Sequence, residues 1–368
     1  MTGSEENAAS DRRTTAALAG GAQSTVAMGK ESILRPVPRM MRAAYYTEPG
    51  PAQAVLKVGE QPTPLPAPGE VLVRVRTSGV NPSDWKSRKF GFRNPTGQVT
   101  IPHSDGAGII ESVGAGVPAA RVGERVWIWN GQWKRASGTS AEYIALPSTQ
   151  AVTMPDSLDY AAGACLGIPA LTALQAVRLA NVGAGDTVLV AGGAGGVGHY
   201  AIQFAKFRNL RVLATVSTAE KAQHAQHAGA DAVINYREED VGARVRTLTD
   251  GRGVDAILEV DLTANAKLIP DVLRPHGTVV VYGVGGADTT IPARWMLGSS
   301  ASMKFFLIYD LTDADRTAVL AEINPLLQEN RLKHEIGLRL PLSEVAVAHD
   351  TVENGSVIGH VVLDIADQ

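Results

Sequence analysis

The chain has one cysteine, Cys165, in 368 residues. No intrachain disulfide framework can form, and no site can draw two thiolates from one chain. A reducing, cytoplasmic setting is expected. Long apolar runs are also missing, because Gly, Pro or charge breaks each stretch well short of the roughly 20 residues a spanning helix needs. No membrane partner is expected. The formal net charge of -3 gives no general attraction to a polyanion, so a nucleic-acid partner is not expected either. The start lacks the basic charge of a secretory signal, since Glu5 and Glu6 stand there instead. Residues 1–40 are small, polar and aperiodic and are expected to be a disordered extension. Met28, Met40 and Met41 could each serve as a natural start.

What remains is too long for one hydrophobic core, and two domains are the better expectation. From Met41 to about residue 165 short β-rich runs alternate with Pro and Gly, as in GEVLVRVRTSGV, ERVWIW and SAEYIALP. That pattern predicts a mostly antiparallel unit. Over residues 166–308 the pattern changes to apolar strands alternating with helical stretches. Six strands are predicted, at 186–192, 211–216, 231–236, 254–260, 277–283 and 302–308, and they make a doubly wound parallel sheet. Helices fit between them, including GVGHYAIQFAKF, AEKAQHAQHAGA, EEDVGARVRTLTD and TANAKLIPDVL. Residues 309–368 return to the mixed style, with helices over roughly 313–332 and 343–353 and a last strand, HVVLDI, able to rejoin the first sheet. The fold class is therefore α/β, a β-rich domain plus a Rossmann doubly wound domain.

The strand DTVLVAG runs into Gly192, Gly193, Ala194, Gly195, Gly196, Val197 and Gly198 and then into a helix. Strand, glycine turn and helix N-terminus together let backbone N–H groups approach a pyrophosphate. About 20 residues on, an acid would hold the ribose diol of NAD. The sequence there reads Val216, Ser217, Thr218. A small residue leaves room for a 2'-phosphate, and Lys221 one helical turn later supplies countercharge. NADPH is the expected cofactor.

The GAGGVG turn, the run STAEKAQHAQHAGADAVINYREED, the block GACLGIPALTAL and SGVNPSDWK together closely resemble the zeta-crystallin-type quinone oxidoreductases, zinc-independent medium-chain dehydrogenases/reductases. The resemblance covers residues 41–366. It implies a GroES-like catalytic domain, 41–165 with 309–368, interrupted by the Rossmann domain, with NADPH between them and a homo-oligomer, dimer or tetramer. It also implies cofactor contacts at Ala194 to Val197, at Ser217 and Lys221, at Tyr236 and Asn265, at Gly283, Val284, Gly285 and Gly286, and at Phe306, Leu307 and Ile308. The family's tyrosine after GVN is here Lys86, preceded by Trp85. The segment WIWNGQWKRASG, with Trp127, Trp129 and Trp133, is unusual for the family; its tryptophans either line an aromatic pocket or pack the core.

Zinc alcohol dehydrogenases of the same superfamily bind their metal through Cys, His and Cys. By resemblance those places fall on Asn81, Ser104 and Ile168, so no metal site is expected, and His103 with Asp105 is two ligands short. Without a Lewis acid, alcohol oxidation is disfavoured. The expected reaction is hydride transfer from NADPH to a conjugated acceptor such as a quinone or enone. Asn81 is the candidate to orient the acceptor oxygen or the nicotinamide ribose, and Asp84 to hold the local hydrogen-bond network. An enoyl or alkenal double-bond reductase is the alternative, for which Lys86, Tyr45, Tyr46 or water would supply a proton. A third reading, of another class, is a structural, crystallin-like or RNA-binding protein.

Overall fold

The structure is a computed structural model that describes residues 36–92 and 97–365. Residues 1–35 of the expected extension, with Met28, and positions 366–368 lie outside the described residues. No helix among the described residues is long and apolar enough to cross a membrane.

The first described strand, β1 (Met40–Tyr45), pairs antiparallel with β2 (Lys57–Pro62). A seven-stranded mixed sheet follows, built from β3 (Glu70–Val80), β4 (Asp105–Val113), β5 (Arg125–Ile128), β6 (Tyr143–Pro147) and β7 (Ala151–Thr153). Its last two members come from the far end of the chain, β14 and β15, whose ranges are given below. Helix α1 (Pro82–Phe90) leaves β3 through a capping box in which the Asn81 N–H donates to Asp84 Oδ2 at 2.8 Å. Pro82 starts the helix, where its missing N–H removes no bond. Helix α2 (Leu171–Ala180) packs its apolar face into the large core cluster below the nucleotide turn.

The second sheet holds β8 (Thr187–Val190), β9 (Arg211–Val216), β10 (Ala232–Asn235), β11 (Val254–Glu259), β12 (Leu273–Val281) and β13 (Ser302–Phe305). Every pairing is parallel and the order is β10-β9-β8-β11-β12-β13. This is the doubly wound order predicted, with its direction reversal between β8 and β11. β8 and β11 are buried along their whole length, as strands covered on both faces must be. Helices α3 (Gly196–Phe207), α4 (Ala219–Ala228) and α5 (Val241–Leu248) supply the crossovers. Thr218 Oγ1 caps α4 by accepting from Lys221 N at 3.2 Å.

Three local expectations are corrected. TANAKLIPDVL is not one helix: it breaks into Leu262–Asn265, a 3-10 turn at Ala266–Leu268 and Ile269–Val272. Pro270 cannot donate to a continuous ladder there. The last Rossmann strand ends at Phe305, so Phe306, Leu307 and Ile308 leave the sheet. The long tail helix, α6 (Asp313–Gln328), stops four residues early. Beyond it come β14 (Ile336–Pro341), α7 (Val345–Glu353) and β15 (His360–Asp364). β15 pairs antiparallel with β3, Val361 opposite Val80 and Asp364 opposite Thr77. The chain end thus closes the first sheet, as its sequence pattern allowed.

Candidate active site

The nucleotide side is built where the sheet reverses. Gly192 leaves β8 at φ +69°, a left-handed conformation that favours glycine. A Cβ on Gly198 would sit 2.2 Å from Gly192 O, so the turn and the first coil of α3 touch backbone to backbone. Gly192 and Gly193 N–H groups are held by Thr215 Oγ1 and O at 3.1 and 2.9 Å. The first N–H groups of α3, Gly196 to Gly198, are left without intrahelical acceptors. Just before them in the chain, Ala194 and Gly195 line a cavity of about 250 Å³ together with Ser217, Lys221 and Tyr236. A neighbouring cavity of about 270 Å³ shares Gly192, Thr215, Tyr236 and Val260 with it and extends to Asn265.

Ser217 is buried just past the end of β9, and no carboxylate stands beside it. Tyr236 is half-exposed, and its ring lines both cavities. Asn265 also serves a neighbour: its Nδ2 donates to Glu259 Oε1 at 2.9 Å. Glu259, at the end of β11, had no signal in the sequence. It accepts from Asp261 N at 2.6 Å, and burial pushes its carboxyl above the ordinary range. The Gly cradle, the small Ser217 and the cation Lys221 fit a dinucleotide carrying a 2'-phosphate.

Farther along the sheet, a Cβ on Gly283 would lie 1.9 Å from Val260 O, which keeps the two strand ends in contact. Gly285 and Gly286 N–H groups donate to Thr263 Oγ1 at 3.2 and 3.1 Å. Val284 O accepts from Lys86 Nζ at 3.2 Å, which ties α1 to this loop. Phe306 N–H reaches back to Val281 O at 3.3 Å, Leu307 is half-exposed and Ile308 is buried.

The second polar centre is Asp105, fully buried at the start of β4. Its Oδ2 accepts from Asn81 Nδ2 at 2.8 Å and from Ile168 N at 3.0 Å. Burial first, then the nearby Asp84 carboxylate, holds the Asp105 carboxyl well above its usual range. Asn81 and Ile168, distant in sequence, are therefore held on one carboxyl group, and Ser104 directly precedes it in the chain. Among the described residues no three His, Cys, Asp or Glu side chains are grouped to hold a metal ion. His103 turns away from this centre at φ 77°; its Nδ1 meets Ser78 Oγ and its Nε2 meets His349 Nε2, both at 2.9 Å. Of the tryptophans, Trp127 is core, Trp129 lies under the Arg316 guanidinium at 3.8 Å, and Trp133 stacks on Tyr309 with ring centres 5.0 Å apart. Tyr309 Oη in turn meets Ser83 Oγ of α1 at 2.8 Å. Neither Tyr309 nor Ser83 was singled out by any motif.

Sheet order, glycine turn and the β-rich unit that closes on the chain's last strand define a dinucleotide-dependent dehydrogenase/reductase of the medium-chain type. The alcohol dehydrogenase GroES-like domain family matches residues 67–156. The zinc-binding dehydrogenase family matches residues 196–324. The chain is 32% identical to the quinone oxidoreductase of Pongo abelii over 319 residues, 86% of this chain and 95% of that one. Mycobacterial Rv1454c, solved in complex with NADPH, superposes with a TM-score of 0.78 at 30% identity, covering 88% of this chain and 99% of its own. An NAD-dependent alcohol dehydrogenase superposes with a TM-score of 0.80 at 29% identity, covering 89% and 100%. The chain belongs to the zinc-independent quinone oxidoreductase family of medium-chain dehydrogenases/reductases.

Proposed function

We propose that this protein reduces quinones, and similar conjugated carbonyl compounds, with NADPH. One observation carries the reading: of the three places that hold zinc in the alcohol dehydrogenases, Asn81 and Ile168 are here tied to Asp105 by hydrogen bonds, and Ser104 precedes it with a neutral hydroxyl. That set suits an acceptor whose oxyanion is delocalised and needs orientation more than Lewis-acid activation. When bound in the cleft, NADPH supplies the hydride. Gly192, Ala194, Gly195, Gly196, Val197 and Gly198 receive the pyrophosphate, and Ser217 and Lys221 the 2'-phosphate. Tyr236 and Asn265 border the adenosine. Gly283 to Gly286 and Phe306 to Ile308 border the nicotinamide half. Asn81 orients the reacting groups, Asp84 fixes Asn81 through the capping box, and Lys86 holds α1 against the Val284 carbonyl.

Residues 41–165 with 309–368 form the catalytic domain in this reading, and 166–308 the nucleotide domain. The single cysteine is buried, which fits a cytoplasmic, reducing compartment. β13 is an edge strand of the parallel sheet, and we read it as the contact of a homo-oligomer. The test is NADPH oxidation by chelator-treated protein against 1,4-benzoquinone, 9,10-phenanthrenequinone, 2-alkenals and crotonyl-CoA. Quinone-selective turnover is expected. Selectivity for alkenals or crotonyl-CoA would move the assignment to double-bond reduction, and tight NADPH binding with no turnover would move it to a structural role.

A further inference from the structure

The tryptophan-rich turn after β5 holds several buried polar groups with no partner among the described residues. Gln132 is 1% exposed, yet neither its Oε1 nor its Nε2 makes a hydrogen bond. Asn130 Oδ1 and Ser104 Oγ are buried and unpaired beside it in the chain or across the contact described next. Burying an amide without partners is unfavourable, so a side chain kept in this state calls for a reason beyond packing.

Its position supplies one. Gly131 N–H donates to Ser104 O at 2.8 Å, which sets the turn against the Asn81–Ser104–Ile168 group. On the other side Asn130 Nδ2 donates to Tyr309 O at 2.8 Å, and Trp133 stacks on the Tyr309 ring. Tyr309 directly follows the nicotinamide segment ending at Ile308. Gln132 thus sits on a turn that bridges the polar catalytic centre and the nicotinamide side.

We propose that Gln132 is a substrate-binding residue whose Nε2–H donates to a carbonyl oxygen of a planar quinone, the place zinc takes in the alcohol dehydrogenases. This rests on the quinone reduction proposed above. In that reaction a C–H bond of the dihydronicotinamide breaks and its electron pair leaves with the hydride, oxidising NADPH to NADP+. The hydride forms a C–H bond at one quinone carbonyl carbon as that C=O π pair moves to its oxygen; the oxyanion is held by Gln132 and takes a proton from solvent, and loss of the new C–H proton with protonation of the second carbonyl oxygen gives the hydroquinone.

The test is Gln132→Met, an apolar side chain of similar length. Expected are an unchanged Kd for NADPH, a kcat/KM for 9,10-phenanthrenequinone lower by about 10²–10³-fold, and a higher Tm because the unpaired amide is gone. A merely structural glutamine would lower the Tm and leave kcat/KM of the folded fraction unchanged, which would overturn the proposal. Gln132→Glu gives a second readout that does not depend on the first variant folding. Its carboxyl donates only when protonated, so its activity relative to the native protein should rise as pH falls, and a flat ratio would overturn the proposal. Native protein inactive on quinones would overturn the functional reading itself, whereas active native protein with an equally active Gln132→Met overturns this inference alone.

Discussion

Among the described residues Lys221 is the one cation that lines the cavity beside Ser217, and the choice between NADPH and NADH should rest on it. A charge-assisted bond to a phosphate contributes on the order of 1.5–3 kcal/mol. Lys221→Ala should therefore cut the kcat/KM preference for NADPH over NADH by about tenfold or more, with activity on NADH retained. An unchanged preference would place the 2'-phosphate elsewhere. Ser217 and Lys221 could be singled out in the sequence as candidates because they stand at a fixed distance past a glycine turn. Tyr309 and Gln132 were not, because distant segments set their surroundings: Tyr309 meets Ser83, and the turn that carries Gln132 is held to Ser104 through Gly131.

Among the elements, the edge strand β13 makes a prediction of its own. One side pairs with β12 from Thr278↔Ser302 to Val281↔Phe305, and the other side has no strand beside it among the described residues. Phe305 is 63% exposed and Leu297 on the preceding helix 84%. An exposed, apolar strand edge favours pairing with another chain. Light scattering should give a mass of at least twice the 38.7 kDa chain, and Phe305→Asp should reduce it toward one. A native protein that is monomeric at micromolar concentration would sink this reading. The parallel strands themselves were readable as apolar runs because burial on both faces leaves no alternation to confuse them. The interrupted stretch after β11 was misread because its apolar spacing is helical while Pro270 removes the donor that would continue it.

For the molecule as a whole, acid should be the weak point. His199, His334 and His360 join the nucleotide helix α3 to the tail: His199 Nε2 meets Lys333 O at 3.0 Å, and His334 Nδ1 meets Tyr200 Oη at 2.7 Å. Burial lowers His199 and His334 to about 4 and His360 to about 3. His103, also lowered by burial to about 3, and His349, well below its usual value, join β4 to α7. A histidine depressed in the folded state contributes stability above the unfolded value of about 6.5. That contribution is lost as pH falls from there toward 3–4, because the unfolded chain then binds more protons. Each such ring should withdraw roughly 2 kcal/mol between pH 7 and pH 5, and three or four together approach the whole stability of a typical domain. Urea midpoints should be level from pH 8 to 7 and fall steeply below 6.5; a midpoint unchanged at pH 5 would show these rings to be solvated. Composition, periodicity and the glycine turn determined the two-sheet architecture and the nucleotide turn, because those depend on residues close together in the chain. The gathering of Asn81 and Ile168 around Asp105, the bridge through Tyr309 and the pairing of His103 with His349 were decided only by the tertiary structure. Those contacts join residues up to 246 positions apart, and no local pattern encodes a distance that only packing sets.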